Sequence, residues 1–154
     1  MKPDWSSQGK GIFLTNDIDA IPKDESYVVQ QYMQNPYLID GLKFDLRLYV
    51  LVTSCLPLKI FLYEEGLVRF ATQKFKAFDT KSDRKEFKNL YMHLTNYAIN
   101  KESDQFKAAK SKDDETSHKR TLTKVLERLK NDGKDTDRIM SEIKDIIIKT
   151  LIMI

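Results

Sequence analysis

The chain has 154 residues, 41% hydrophobic and 32% charged, with a formal net charge of +3, which suits one domain or a portion of a larger one with a real core. The basic excess is mild and not gathered in a tail, so a purely electrostatic nucleic-acid binder is not favoured and no nucleic-acid partner is expected. A single cysteine, Cys55, excludes an intrachain disulfide and a cysteine-rich zinc site, and the lack of an apolar leader or spanning run argues for a reducing, membrane-free setting.

Residues 1–26 are rich in turn formers, and "YVVQQY" at 27–32 is short and β-prone. A loop, "NPYLIDG", leads into "KFDLRLYVLVTS". There Phe44, Leu46, Leu48, Val50 and Val52 fall on one face, and Asp45, Arg47, Tyr49, Leu51 and Thr53 on the other. "CLPL" turns the chain, and "KIFLYEE" and "LVRFATQ" read as two more strands joined through Glu65–Gly66. Three strands in succession with tight turns predict an antiparallel meander. Residues 73–92 carry Phe75, Phe78, Phe87 and Tyr91, and residues 101–117 are polar enough to predict a solvated or mobile loop. Leu122, Val125, Leu126 and Leu129 have helical spacing, with Thr116 or Ser117 as the expected cap. After "NDGKDTD", the residues Ile139, Ile143, Ile146, Ile147, Leu151 and Ile154 form a second apolar stripe. That stripe runs to the last residue without a stop signal, so it is expected to need a partner.

Four stretches could carry chemistry. Lys2 and "SSQGKGI" combine lysines with glycines that let backbone N–H groups approach phosphate, although the spacing is neither a Walker loop nor a dinucleotide fingerprint. Alone, this stretch reads as a turn with solvated lysines. Lys43, Asp45 and Arg47 share one strand face; they form either a wet face, a self-pairing charged row, or a charged floor under an anionic ligand. Arg69 either snorkels or grips a carboxylate in a bidentate fork. "MHLTNYAINK" crowds His93, Thr95, Asn96, Tyr97, Asn100 and Lys101 together; its plainer reading is a loop entering a helix, capped by Thr95 or Asn96, with a packed histidine. Neither His93 nor His118 has a second histidine at metal-ligand spacing, and a Ser-His-Asp triad has no support.

In order along the chain, "KPDWSSQGKGIF", "VVQQYMQNPYLIDGLKFDLRLYVLVTS", "PLKIFLYEEGLVRFAT" and "MHLTNYAINK" resemble the tubulin tyrosine ligase-like family, with "SHKRTL" and "DIIIKTLI" extending the match. The glutamylase branch is the most similar, through "QGKGIF" and the surroundings of Arg69. The resemblance implies an α+β, ATP-grasp-like fold: antiparallel sheet with C-terminal helices, present here as a partial domain over 1–154 with both ends missing. It implies a ligase that activates a tubulin-tail carboxylate as an acyl phosphate, using ATP and Mg²⁺, and joins it to free L-glutamate. By position, ATP would be contacted by Lys2, Gln8, Gly9, Gln30, Gln31, Tyr32, Met33, Lys43, Phe44, Asp45, Thr95 and Asn96. Glutamate would be contacted by Arg69, Tyr97, Ala98 and Lys119. The family's metal ligands, an aspartate and a Glu-x-Asn pair on a later segment, have no match here, so Mg²⁺ ligands are expected outside this chain. The resemblance places the protein in the cytoplasm at the cytoskeleton, including the cilium or basal body. The alternative is a non-catalytic remnant that binds ATP or tubulin.

Overall fold

The structure, a computed structural model, describes residues 1–77, 86–112 and 114–153. It is a mixed α/β fold with antiparallel strand pairs and two C-terminal helices. The expected Phe78 and Ile154 lie outside the described residues. Two compact units can be distinguished, Met1–Asp45 with Arg69–Ala108, and Leu46–Val68 with Ala109–Ile154.

In the first unit, β1 (Lys2–Pro3) pairs antiparallel with β2 (Tyr27–Val28), Lys2 opposite Val28. The β-prone run 27–32 therefore makes a strand only at its start. Its partner is two residues long, because the chain after Pro3 turns through positive φ at Gln8, Gly9 and Gly11. The loop closes where the Met1 ammonium and the Phe13 N–H each donate to the other residue's carbonyl. A 3-10 turn (Glu86–Lys88) precedes two one-turn helices, α1 (Leu90–His93) and α2 (Tyr97–Asn100). Asn96 stands at the N-cap position of α2 but makes no side-chain capping bond. Ile39, Phe70, Ala71, Phe87 and Met92 are the buried apolar residues of this unit.

The expected single strand from residue 43 to 54 is two strands, β3 (Phe44–Arg47) and β4 (Val50–Cys55). β4 forms a hairpin with β5 (Leu58–Leu62) across the cis Leu56–Pro57 turn. Next in sequence, β6 (Leu67–Phe70) does not continue a meander. It sits between β3 and β7 (Lys119–Thr121) in a three-stranded sheet. The break falls where the chain bends at Glu65–Gly66. A Cβ on Gly66 would stand 2.9 Å from the Arg47 carbonyl oxygen and 3.1 Å from Leu48 Cδ2, so only glycine permits this approach.

In the second unit, α3 (Leu122–Asn131) buries Leu122, Val125 and Leu129, the spacing read from the sequence. Its cap is Thr121, not Thr116 or Ser117; the Thr121 hydroxyl accepts from Lys124 N at 3.4 Å. The cap lies later because residues 119–121 are taken up by β7. Gly133, at φ 75, ends that helix, and Asp135 caps α4 (Thr136–Ile152). No α4 residue is buried among those described: of its apolar stripe, Ile139, Ile143, Ile147 and Leu151 are half-buried and Ile146 is exposed. The described residues between 102 and 118 carry no regular element, and Asp114 organises a turn there by accepting from Lys110 N, Thr116 N and Thr116 Oγ1.

Candidate functional site

A cavity of about 1140 Å³ opens in the first unit. Its walls come from Met1–Lys2, the 12–18 segment, residues 28–35, Lys43, and Phe87, His93 and Leu94. Six of the twelve residues expected to meet ATP share this lining: Lys2, Gln30, Gln31, Tyr32, Met33 and Lys43. Gln8, Gly9, Phe44, Asp45, Thr95 and Asn96 lie outside it. The 12–18 segment was not anticipated. Phe13 and Leu14 bring it against the cavity, and their apolar pair directly after the glycine loop was the available signal.

Lys43 sits immediately before β3, and its ammonium lies 4.5 Å from the centre of the Tyr32 ring. Its Nζ also donates to the Tyr32 hydroxyl, at 3.4 Å. That hydroxyl is 2.8 Å from His93 Nδ1, and His93 Nε2 is 2.8 Å from the Glu86 carbonyl oxygen. A carbonyl only accepts, so Nε2 carries the proton and neutral His93 accepts from Tyr32 at Nδ1. Burial holds His93 below the ordinary histidine range, against the pull of the Glu86 carbonyl. Burial likewise pulls Lys43 down, opposed by Asp45, and pushes the Tyr32 hydroxyl up to about 12. A desolvated lysine in a cavity wall gains most from a bound anion, which restores the interactions its charge lost. His93 is packed in the interior, 1% exposed.

The glycine loop and the "HLTNYAIN" stretch meet. A Cβ on Gly9 would stand 2.6 Å from Ile99 Cδ1 and 3.0 Å from Asn96 Cγ, so this loop docks only because residue 9 lacks a side chain. Asn100 anchors the same stretch from beneath. Its Oδ1 accepts from both Thr72 N and Thr72 Oγ1 at 2.9 Å, and its Nδ2 donates to the Leu94 and Asn96 carbonyls. No role had been assigned to it, because a buried asparagine and an exposed one look alike in sequence. Phe44, expected at the nucleotide, packs against Phe70 with ring centres 5.5 Å apart.

Asp45 and Arg69 were expected at two different ligands. They are bound to each other, with Arg69 Nε 2.9 Å from Oδ1 and Nη2 2.6 Å from Oδ2. The fork expected of Arg69 is therefore present, with an internal carboxylate. Strands β3 and β6 are neighbours in one sheet, and this brings the two side chains together across 24 residues. Tyr97 is half-exposed on α2 and packs edge-on to Phe106, and Ala98 follows it on the same helix. Lys119 lies on β7 in the second unit. Among the described residues, no group of three His, Cys, Asp or Glu side chains is placed to hold a metal ion. No helix among them is long and apolar enough to cross a membrane.

The cavity is lined mostly by apolar surface and carries Lys2 and Lys43 in its wall. Over residues 1–154 the chain matches the tubulin-tyrosine ligase family, and it belongs to that family. It is 50% identical over 153 residues to the probable beta-tubulin polyglutamylase of Tetrahymena thermophila, covering 99% of this chain and 12% of that protein. It is 45% identical over 151 residues to tubulin polyglutamylase ttll6 of Danio rerio, covering 98% of this chain and 18% of that protein. To tubulin polyglutamylase TTLL5 of Mus musculus it is 44% identical over 153 residues, 99% of this chain and 11% of that protein. The chain thus spans less than a fifth of the length of each of these relatives.

Proposed function

We propose that the chain forms the nucleotide-gripping part of an ATP-dependent ligase of the ATP-grasp type that adds glutamate to glutamate side chains in tubulin tails. The observation that carries this is the convergence of Lys2, Gln30, Gln31, Tyr32, Met33 and Lys43 on one cavity, in a chain whose relatives are named tubulin polyglutamylases. Lys2 and Lys43 fit the phosphates, and Tyr32, Met33 and the 30–33 backbone fit the adenine. Gln8 and Gly9 would cover the nucleotide, with Thr95 and Asn96 returning to it beside them. Bound ATP would supply the activation that lets a tail carboxylate accept an amine. Arg69, Tyr97, Ala98 and Lys119 would hold the incoming glutamate, with Arg69 presented by its fork on Asp45. The Mg²⁺ that the family resemblance implies finds no set of ligands among the described residues, and no step is assigned to it. Tubulin as substrate places the site of action at the cytoskeleton, including cilia.

A second reading is a non-catalytic protein that keeps nucleotide or tubulin binding. One experiment separates the two: steady-state incorporation of glutamate into tubulin by the longest natural protein that carries this sequence. Lys43→Ala should raise the KM for ATP, and Arg69→Ala the KM for glutamate, each by about 2–4 kcal/mol of lost anion contact. Both variants altering only ATP use would overturn the division of roles. Nucleotide binding with no incorporation by the unmodified protein would establish the non-catalytic reading.

A further inference from the structure

Tyr32 and His93 stand in the cavity wall beside Lys43, and the contacts between them run in one direction. Glu86 O fixes the proton on His93 Nε2, at 2.8 Å. That leaves Nδ1 as an acceptor, and the Tyr32 hydroxyl, 2.8 Å away, points its proton there. The hydroxyl oxygen therefore offers its lone pairs outward, and Lys43 Nζ donates to it at 3.4 Å while lying over the same ring. The ring is itself held edge-on to His93, with centres 5.3 Å apart, and Phe75 also meets the imidazole edge-on at 6.4 Å.

We infer that His93 is a positioning residue for the nucleotide site: through the Tyr32 hydroxyl it holds the Lys43 ammonium where a phosphate is met. This deepens the nucleotide reading of the cavity and rests on it. A lysine side chain on a flexible four-carbon stem loses much rotamer freedom when it binds an anion. Here that freedom is already spent in the unliganded chain, on the ring face and the hydroxyl lone pair. In this arrangement His93 acts through Tyr32 rather than on the phosphate. Its part is to decide which way the hydroxyl points: a group without an acceptor at the Nδ1 position releases the Tyr32 proton to turn toward Lys43, and a hydroxyl proton facing an ammonium repels it. Among the described residues, the charged and titratable groups facing the imidazole include Tyr32, Lys43 and Glu86.

The test compares ATP with adenosine, which lacks the phosphates that Lys43 would meet, by calorimetric titration of the full chain at pH 7.5. Tyr32→Phe keeps the ring and removes the hydroxyl; it should raise the Kd for ATP about three- to tenfold more than the Kd for adenosine. His93→Gln retains a donor toward Glu86 but no acceptor toward Tyr32, and should weaken ATP to the same extent. His93→Asn sets an amide oxygen near the Nδ1 position and should restore ATP binding toward the wild-type value. The double variant of Tyr32→Phe with His93→Gln should be no worse than either alone. Equal losses for ATP and adenosine, additive losses, or no loss in Tyr32→Phe would each overturn the inference; since Tyr32→Phe is a small change at a half-buried site, it decides the matter even where a His93 variant folds poorly. A wild-type chain that binds neither ligand would overturn the nucleotide reading itself, a result distinct from the others.

Discussion

At the scale of single residues, what a side chain touches separates groups that look alike in sequence. Arg69 was left open between lying along the surface and gripping a carboxylate, and the carboxylate turns out to be Asp45, on the neighbouring strand and 24 residues away in sequence. Strand alternation puts Lys43, Asp45 and Arg47 on one face, but it says nothing about which strand lies alongside. Asn100 makes the same point with larger stakes. It is 1% exposed and satisfies four polar partners: the Thr72 N–H and hydroxyl, and the carbonyls of Leu94 and Asn96. Asn100→Ala removes all four contacts; Thr72 N keeps the Tyr91 carbonyl and Asn96 O keeps the Ile99 and Asn100 N–H groups, so the loss falls mainly on the buried Thr72 hydroxyl and the Leu94 carbonyl. Urea denaturation should show a loss of about 2–3 kcal/mol, with the loop at Thr95–Asn96 loosened as well. A loss under about 0.5 kcal/mol, the level of an ordinary surface change, would mean that the polar network contributes little.

At the scale of elements, local chemistry predicted more than pairing did. The helix over Leu122–Asn131 was legible because three of its apolar residues recur at helical spacing and Gly133 stops it. The hairpin turn at Leu56–Pro57 was legible for the same kind of reason. The sheet partners of β6, and the split at Leu48–Tyr49, depend on the bend at Gly66 and on contacts far away in sequence, which no local pattern encodes. The same holds for the cavity: half its expected nucleotide residues meet there, and the rest are placed by loop docking at Gly9 or by the Asp45–Arg69 fork. Glu65 shows how the bend and the helix are tied together. Its carboxylate accepts from Gly66 N at 2.8 Å, and from Thr123 N and Oγ1 at 3.1 and 2.9 Å, over the first turn of α3. Burial pushes its carboxyl up, but the bonds from Gly66, Thr123 and Leu122 outweigh this and hold it below the ordinary range. A carboxyl lowered on folding contributes stability that is present above the unfolded value, near 4.5, and is lost as pH falls through the folded one. Glu65→Ala should therefore destabilise by about 1 kcal/mol at pH 7, and the gap from wild type should narrow in urea titrations repeated at progressively lower pH. A gap that stays constant into strong acid would assign the effect to packing rather than to charge.

For the whole molecule, the distribution of apolar surface matters more than its amount. The β4–β5 hairpin carries Leu51 and Phe61 as direct cross-strand partners, 60% and 57% exposed, with Leu56 at its tip 95% exposed. Tyr49 and Tyr63 extend the same exposed ribbon. In α4 of the same unit, Ile146, Ile152 and Met153 are exposed too. A two-stranded ribbon with apolar side chains in water also leaves backbone donors and acceptors on its outer edges, which invites pairing with another strand. Electrostatics offers little opposition, because a net charge of +3 on 154 residues is a weak barrier to association. The chain alone should consequently self-associate as its concentration rises, and the hairpin rather than the cavity should be responsible. Leu51→Lys combined with Phe61→Lys puts like charges opposite each other on the exposed face and buries nothing new. Light scattering behind size exclusion should then report a monomer at concentrations where the wild-type chain runs larger, while the melting temperature stays within the small range of surface changes. A wild-type chain that is already monomeric at millimolar concentration would refute this, and a double variant that associates as before would move the contact to the isoleucine stripe of α4. Ile146→Lys and Ile152→Lys address that second surface by the same measurement, so each outcome assigns the association to one element.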